Sequence, residues 1–140
     1  MKLEFKTQIR IRYAEVDQSG FVYNGNYATF YEVGRSESLR QMGHTYKEME
    51  DSGIVMPLIN QYSRYYKPAI YDDLLTIVTQ VPEMPKVKIH FDYKVYNENG
   101  DLLNEGYNEL AFLNKETGRA TRAPKWFVEL FEKHFAIQNP

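Results

Sequence analysis

Two stretches of this chain alternate apolar and polar residues with a period of two, and they decide what it can fold into. Leu3, Phe5, Thr7, Ile9, Ile11 and Tyr13 are interleaved with Glu4, Lys6, Gln8, Arg10 and Arg12. Val87, Ile89, Phe91, Tyr93 and Val95 are interleaved with Lys88, His90, Asp92 and Lys94. A strand of this kind has one dry face and one wet face, as in an antiparallel sheet covered on a single side. Something must lie on the dry side. The stretch from about Asn26 to Met42 supplies it, with Tyr27, Phe30, Tyr31 and Gly34 at helical spacing and Ser38 and Met42 continuing the stripe. Gly34 and Ser38 are small where a helix must lie close on a sheet, and Gly43 is placed to end the helix. The other side of this helix, with Glu32, Arg35, Ser36 and Arg40, reads as solvated. Glu32–Arg35 and Glu37–Arg40 have the spacing of surface pairs.

The rest of the chain continues in the same vein. Thr45 and Glu48 have the spacing of a capping box, which predicts a short helix to Asp51, broken by Ser52-Gly53. An extended stretch follows from Ile54 to Lys67, with Pro57 making its entry irregular. Leu74–Val81 is a β-branched run, and Asn99-Gly100 is a hairpin signal. Leu102–Asn114 returns, with Gly106 read as a bulge. Pro124 suits the first position of a closing helix whose face is Phe127, Leu130, Phe131 and Phe135. The order is strand, long helix, four strands and a final helix, an α+β layer arrangement with a sheet of about five strands.

Residues 1–140 are the length of one domain, and twelve tyrosines with eight phenylalanines favour strands and aromatic-lined pockets. A net charge of −2 leaves no basic footprint for nucleic acid. With no cysteine there are no disulfides or thiolate metal sites, which suits the reducing cytoplasm. No stretch reaches membrane-spanning length, and Met1-Lys2-Leu3-Glu4-Phe5-Lys6 has no signal-like apolar core. The expectation is a soluble cytoplasmic protein. His44, His90 and His134 are scattered and show neither metal spacing nor a Ser/His/Asp grouping.

The chemistry concentrates in one loop. Asp17 opens a polar stretch, Asp17-Gln18-Ser19-Gly20-Phe21-Val22-Tyr23-Asn24-Gly25-Asn26-Tyr27, that runs into the long helix. Its two glycines and two asparagines suit turns. A helix start brings unpaired N–H groups and partial positive charge, which favour a developing anion. A carboxylate beside such donors is sufficient for attack on a thioester. The thiolate it releases has a pKa of about 8.5 and departs without a general acid. Glu15 reads as a structural or solvated carboxylate whose charge would raise the pKa of Asp17. Glu32 and Glu37 are alternative carboxylates, on the polar side of the helix.

The segment Tyr13-Ala14-Glu15-Val16-Asp17-Gln18-Ser19-Gly20-Phe21-Val22-Tyr23-Asn24-Gly25-Asn26-Tyr27, followed by Phe30-Tyr31-Glu32 and Arg35, resembles the signature of hotdog-fold acyl-CoA thioesterases of the 4-hydroxybenzoyl-CoA thioesterase type. The resemblance implies a hotdog fold, in which a curled antiparallel sheet wraps the long helix, and a homodimer or homotetramer. It implies that Asp17 is nucleophile or general base and that the Asn24 backbone N–H polarises the thioester carbonyl. Many relatives carry histidine at the Asn24 position; asparagine keeps the backbone donor. Around these, Gly25 and Asn26 shape the helix start, while Tyr13, Tyr23 and Tyr27 are candidates for an acyl pocket, Tyr27 serving the core equally well. Arg64-Tyr65-Tyr66-Lys67, Arg119, Arg122 and Lys125 are candidates for holding the phosphates of coenzyme A, which enters only as part of the substrate. No metal or separate cofactor is implied. The expected activity is hydrolysis of an acyl-CoA; the alternatives are an acyl-carrier-protein thioesterase and a non-catalytic acyl-thioester binder. A hotdog dehydratase is disfavoured because its histidine is missing.

Overall fold

The computed structural model describes residues 2–140. Strand β1 (Leu3–Arg10) leads through a short 3₁₀ turn (Tyr13–Glu15) and a loop to helix α1 (Asn26–Gln41) and helix α2 (Tyr46–Asp51). Strands β2 (Ile54–Val55), β3 (Leu58–Tyr65), β4 (Leu74–Val81), β5 (Lys88–Tyr96), β6 (Leu102–Ala111) and β7 (Leu113–Asn114) follow, and helix α3 (Lys125–Gln138) closes the chain. Five strands form one antiparallel sheet in the order β1-β4-β5-β6-β3. Strands β2 and β7 make a separate two-stranded ribbon.

The alternation predicted for β5 is realised: Ile89, Phe91, Tyr93 and Val95 are buried on the inner face, where α1 packs. Helix α1 buries Tyr27, Phe30, Tyr31, Gly34, Ser38 and Leu39 against that face. Gly34 is required by the close approach, since a Cβ there would sit 2.5 Å from Thr79 Oγ1 and 3.0 Å from Ile77. Phe127, Phe131 and Phe135 of α3 are buried, and Phe112 meets Phe127 edge-on. Truncating one such ring to alanine costs about 3–5 kcal/mol, a large share of a domain's stability.

Several expectations are corrected. Strand β1 pairs only to Arg10, because its partner β4 begins opposite it at Leu74; Tyr13 lies in the 3₁₀ turn and is exposed. The predicted extended stretch from Ile54 to Lys67 divides between two sheets as β2 and β3. Pro124 caps α3 rather than starting it. Gly106 is no bulge: it pairs in register with Ser63 and Tyr93, and a Cβ there would strike the Tyr62 carbonyl oxygen and the Tyr31 hydroxyl. That hydroxyl belongs to a closed ring. Tyr31 donates to Asn104 Oδ1, the Asn104 amide donates to Ser63 Oγ at 2.7 Å, and Ser63 Oγ stands 3.0 Å from the Tyr31 oxygen. Helix α1 is thereby tied to β6 and β3. On the other side of α1, Glu37–Arg40 forms at 3.5 Å, but Arg35 is drawn inward beside the Tyr46 and Tyr93 hydroxyls, with its Nη1 buried.

Strand β3 is the exposed edge of the sheet. Leu58, Ile59, Tyr62 and Tyr65 are each about half exposed along it. An unpaired, aromatic edge strand of eight residues invites another strand.

Candidate active site

The loop between β1 and α1 is fixed from both ends. The Asp17 N–H donates to the Phe21 carbonyl at 3.0 Å and the Gly20 N–H donates back to the Asp17 carbonyl at 3.0 Å, closing a tight turn. Gly20 adopts φ +85°, a left-handed conformation that glycine reaches without strain. The Val22 N–H donates to the Ala69 carbonyl and the Tyr23 N–H to the Glu15 carbonyl, both within 2.9 Å. The same Glu15 carbonyl accepts the Asn26 side-chain amide at 2.8 Å, tying the helix start to the 3₁₀ turn.

The two acidic residues of this loop have different partners. Glu15 is buried, and Arg12 Nε and Nη2 grip its oxygens at 2.9–3.1 Å. Those bonds hold its carboxyl below the ordinary range against the opposing effect of burial. Its charge is committed to the scaffold. Asp17 is exposed, and Ser19 donates its N–H and its hydroxyl to one oxygen, Oδ1. The Ser19 hydroxyl, and then its N–H, hold Asp17 below the usual carboxylate range. The shift is opposite to the one a repelling Glu15 would cause: Ser19 sets it, and the Glu15 charge is paired with Arg12. Asp17 is therefore ionised at neutral pH, and its Oδ2 bonds to no described residue.

At the helix start, the carbonyls are occupied and two N–H groups are not. The Tyr23 carbonyl accepts the Asn26 N–H at 3.0 Å. The Asn24 carbonyl accepts the Tyr27 N–H at 3.3 Å and the Tyr65 hydroxyl at 3.0 Å. The Asn24 and Gly25 N–H groups have no hydrogen-bond partner among the described residues. Gly25 itself has φ −64°, so no left-handed backbone demands glycine. The Tyr23 ring occupies the space instead, its edge 2.5 Å from where an added Cβ would sit, so a side chain here would push that exposed ring aside.

Asp17, Tyr23, Asn24 and Tyr27 share one cleft of about 390 Å³, with Ser19, Tyr65, Tyr66 and Lys67 also in its wall. Tyr27 is both core and wall: it is buried, meets Phe30 and Tyr65 edge-on, and burial pushes its hydroxyl up to about 12. Asn26 stands behind the wall on Glu15. Arg64 is not in the wall; its guanidinium lies 5.1 Å over the Tyr66 ring, while Lys67 is in the wall, with its Nζ 3.6 Å from Asp101 Oδ1. Tyr13 stacks on Tyr71 at 3.8 Å, outside it. Arg119, Arg122 and Lys125 lie between β7 and the first turn of α3, also outside. The roles of Ser19 and Tyr65 escape a sequence reading. Asp-x-Ser spacing is a signal for the former; nothing local announces the contact between positions 24 and 65. A larger depression of about 720 Å³ on the outer sheet face, lined by Glu4, Lys6, Gln80 and Lys94 among others, contains none of the candidate residues. Among the described residues no cluster of His, Asp and Glu has metal-holding geometry, and no helix is long and apolar enough to cross a membrane.

Comparison with known proteins gives the family. A profile described as the thioesterase-like superfamily matches residues 11–131. The acyl-CoA thioester hydrolase YbgC of Escherichia coli O6:H1 is 31% identical over 129 residues, covering 92% of this chain and 96% of that protein. The crystal structure of a DHNA-CoA thioesterase from Staphylococcus aureus superposes with a TM-score of 0.89 at 32% identity, over 97% of this chain and 93% of the other. A 4-hydroxybenzoyl-CoA thioesterase with bound 4-hydroxybenzoyl-CoA shares the fold, with a TM-score of 0.81 at 23% identity over 91% and 97% of the two chains. The chain belongs to the thioesterase-like superfamily and is a hotdog-fold thioester hydrolase.

Proposed function

We propose that this chain hydrolyses an acyl-CoA to a carboxylic acid and free coenzyme A, with Asp17 as nucleophile or general base. The observation that carries the reading is one cleft lined by both an ionised Asp17 and Asn24, whose backbone N–H is unpaired at the helix start. Asp17 Oδ2 attacks the thioester carbonyl or takes a proton from the attacking water. The carbonyl oxygen gains charge as the tetrahedral species forms, and the Asn24 N–H, aided by its neighbour, stabilises it. The C–S bond then breaks, and the thiolate leaves without a proton donor because its pKa is about 8.5. The acid product departs directly in the water route. In the nucleophile route, water first cleaves an Asp17 mixed anhydride. Neither route requires a metal or a separate cofactor.

Lys67 in the wall, with Tyr66 beside it, suits the anionic and aromatic parts of coenzyme A. The exposed edge of β3 supports a homodimer in which that edge is paired, and dimers can assemble further into a tetramer. A panel of acyl-CoA thioesters with detection of the released thiol tests the activity. The same acyl groups carried on acyl carrier protein test that partner. Binding of these thioesters without thiol release would replace hydrolysis by a binding role.

A further inference from the structure

We propose that Tyr65 is a positioning residue for the reaction: its hydroxyl fixes the Asn24–Gly25 peptide and so aims the unpaired Gly25 N–H that stands beside the Asn24 donor. The inference rests on the thioesterase reading of the cleft. Tyr65 ends β3, on the opposite side of the cleft wall in the chain from the catalytic loop, 41 positions away from the carbonyl it meets. Its O–H donates to the Asn24 oxygen at 3.0 Å. Its ring packs edge-on against Tyr27, centroids 5.3 Å apart at 85°, and Tyr27 is anchored in the core. The hydroxyl is thus delivered by a ring whose inner side is held.

The acceptor matters because a peptide is a rigid plane. The Asn24 carbonyl and the Gly25 N–H are two ends of one peptide, so a bond at the oxygen orients the nitrogen. Without Tyr65, that oxygen would keep only the Tyr27 N–H at 3.3 Å, in an exposed loop. A hydrogen bond at the carbonyl also polarises the plane and strengthens its N–H as a donor. Both effects act on charge that exists mainly in the transition state. They therefore belong in kcat rather than KM. A merely structural tyrosine, holding β3 to the loop through its ring, would lose nothing on removal of the oxygen.

Tyr65→Phe separates the two cases, since it keeps the ring against Tyr27 and deletes only the hydroxyl. We expect kcat to fall on the order of tenfold with KM changed less than about twofold, melting temperature and sedimentation being unaffected. In the free protein, the ¹⁵N resonance of Gly25 should move, because its nitrogen shares the peptide with the released oxygen. A wild-type kcat in Tyr65→Phe, a loss confined to KM, or an unmoved Gly25 resonance would each overturn the proposal. If the wild-type chain turned over none of the thioester panel, the thioesterase reading would fail, and with it a role in that reaction. If wild type and Tyr65→Phe turned over equally fast, only the positioning role would fail.

Discussion

Ser19 donates twice to Asp17, and both bonds end on the same carboxylate oxygen: the N–H at 2.8 Å and the hydroxyl beside it. The arrangement stabilises the ionised form and lowers the pKa of the group. A carboxylate that must be ionised to act then keeps acting as pH falls through the ordinary carboxylate value, and fails only below it. Removing the Ser19 hydroxyl in Ser19→Ala takes away the first cause of the shift. The acid limb of the kcat/KM profile should move to higher pH. A limb that stays in place would detach that limb from Asp17.

Asp17→Asn should keep the fold and lose most turnover. The side chain is exposed and its bonds stay within its own loop, so melting temperature should hardly change. The loss in kcat should be two decades or more, on the order of 3 kcal/mol. Steady-state kinetics on a good substrate, with circular dichroism as the fold control, check it. Wild-type kcat in a folded variant would refute the assignment.

Asn24 and Gly25 should respond differently to substitution. The Asn24 side chain makes no hydrogen bond among the described residues, and alanine retains the backbone N–H, so Asn24→Ala should keep much of the activity. Gly25→Val places methyl groups where the Tyr23 ring lies and should be the more damaging change. The backbone there is already helical, so the harm comes through the displaced ring in the cleft wall and not through strain. A folded Asn24→Ala with a loss on the order of 10²-fold beside an active Gly25→Val would give the chemistry to the side chain instead.

His90 makes stability depend on pH in the opposite sense from a carboxylate. Its Nε2 stands 2.9 Å from Asp92 Oδ1 and its Nδ1 stands 3.3 Å from Glu109 Oε2, while its ring stacks on Tyr107. Lys88 also meets Glu109, at 3.0 Å, and Asn60 donates to it. Burial alone would lower the imidazole pKa, but hydrogen bonds to the two carboxylates outweigh it and hold it above the ordinary value. A raised folded pKa means the stabilisation is complete below the unfolded value and is lost as pH rises through the folded one. Urea midpoints across that interval should fall with rising pH, and His90→Gln should flatten the slope. An equal slope in the variant would assign it to other groups.

The chain should be a dimer in solution, its β3 edge covered. Sedimentation at micromolar concentration should exclude a species of 16.6 kDa as the main component. A stable, active monomer would show that the apolar residues of β3 are tolerated in water.

What the sequence made legible was periodic, and what it hid was not. The stripe from Tyr27 to Met42 and the alternation of β5 are repeats, so the helix, the buried face and the layer order could be read directly. Arg35 escapes such a reading because periodicity places a residue relative to its own helix only; α2 folds Tyr46 against the polar side of α1. Gly106 escapes it for a similar reason. A glycine in a strand announces missing volume, and only the fold says that the Tyr31 hydroxyl fills it. The Asp17 loop was readable because its residues are contiguous, whereas Lys67 and Tyr65 join it across the chain. Charge alone does not separate Arg64 from Lys67, because it carries no information about side-chain direction.

The ring formed by Tyr31, Asn104 and Ser63 has a consequence for how such a chain can vary. Each member donates to one neighbour and accepts from the other, so no one of them can be lost by itself without orphaning a donor and an acceptor. Single substitutions to apolar residues each cost the desolvation of abandoned partners, about 1–3 kcal/mol, while replacing all three together by shape-matched apolar side chains leaves nothing unpaired. Three positions on three different elements therefore behave as one inherited character: a descendant sequence crosses from the polar to the apolar version in a single step or passes through intermediates less stable than either end.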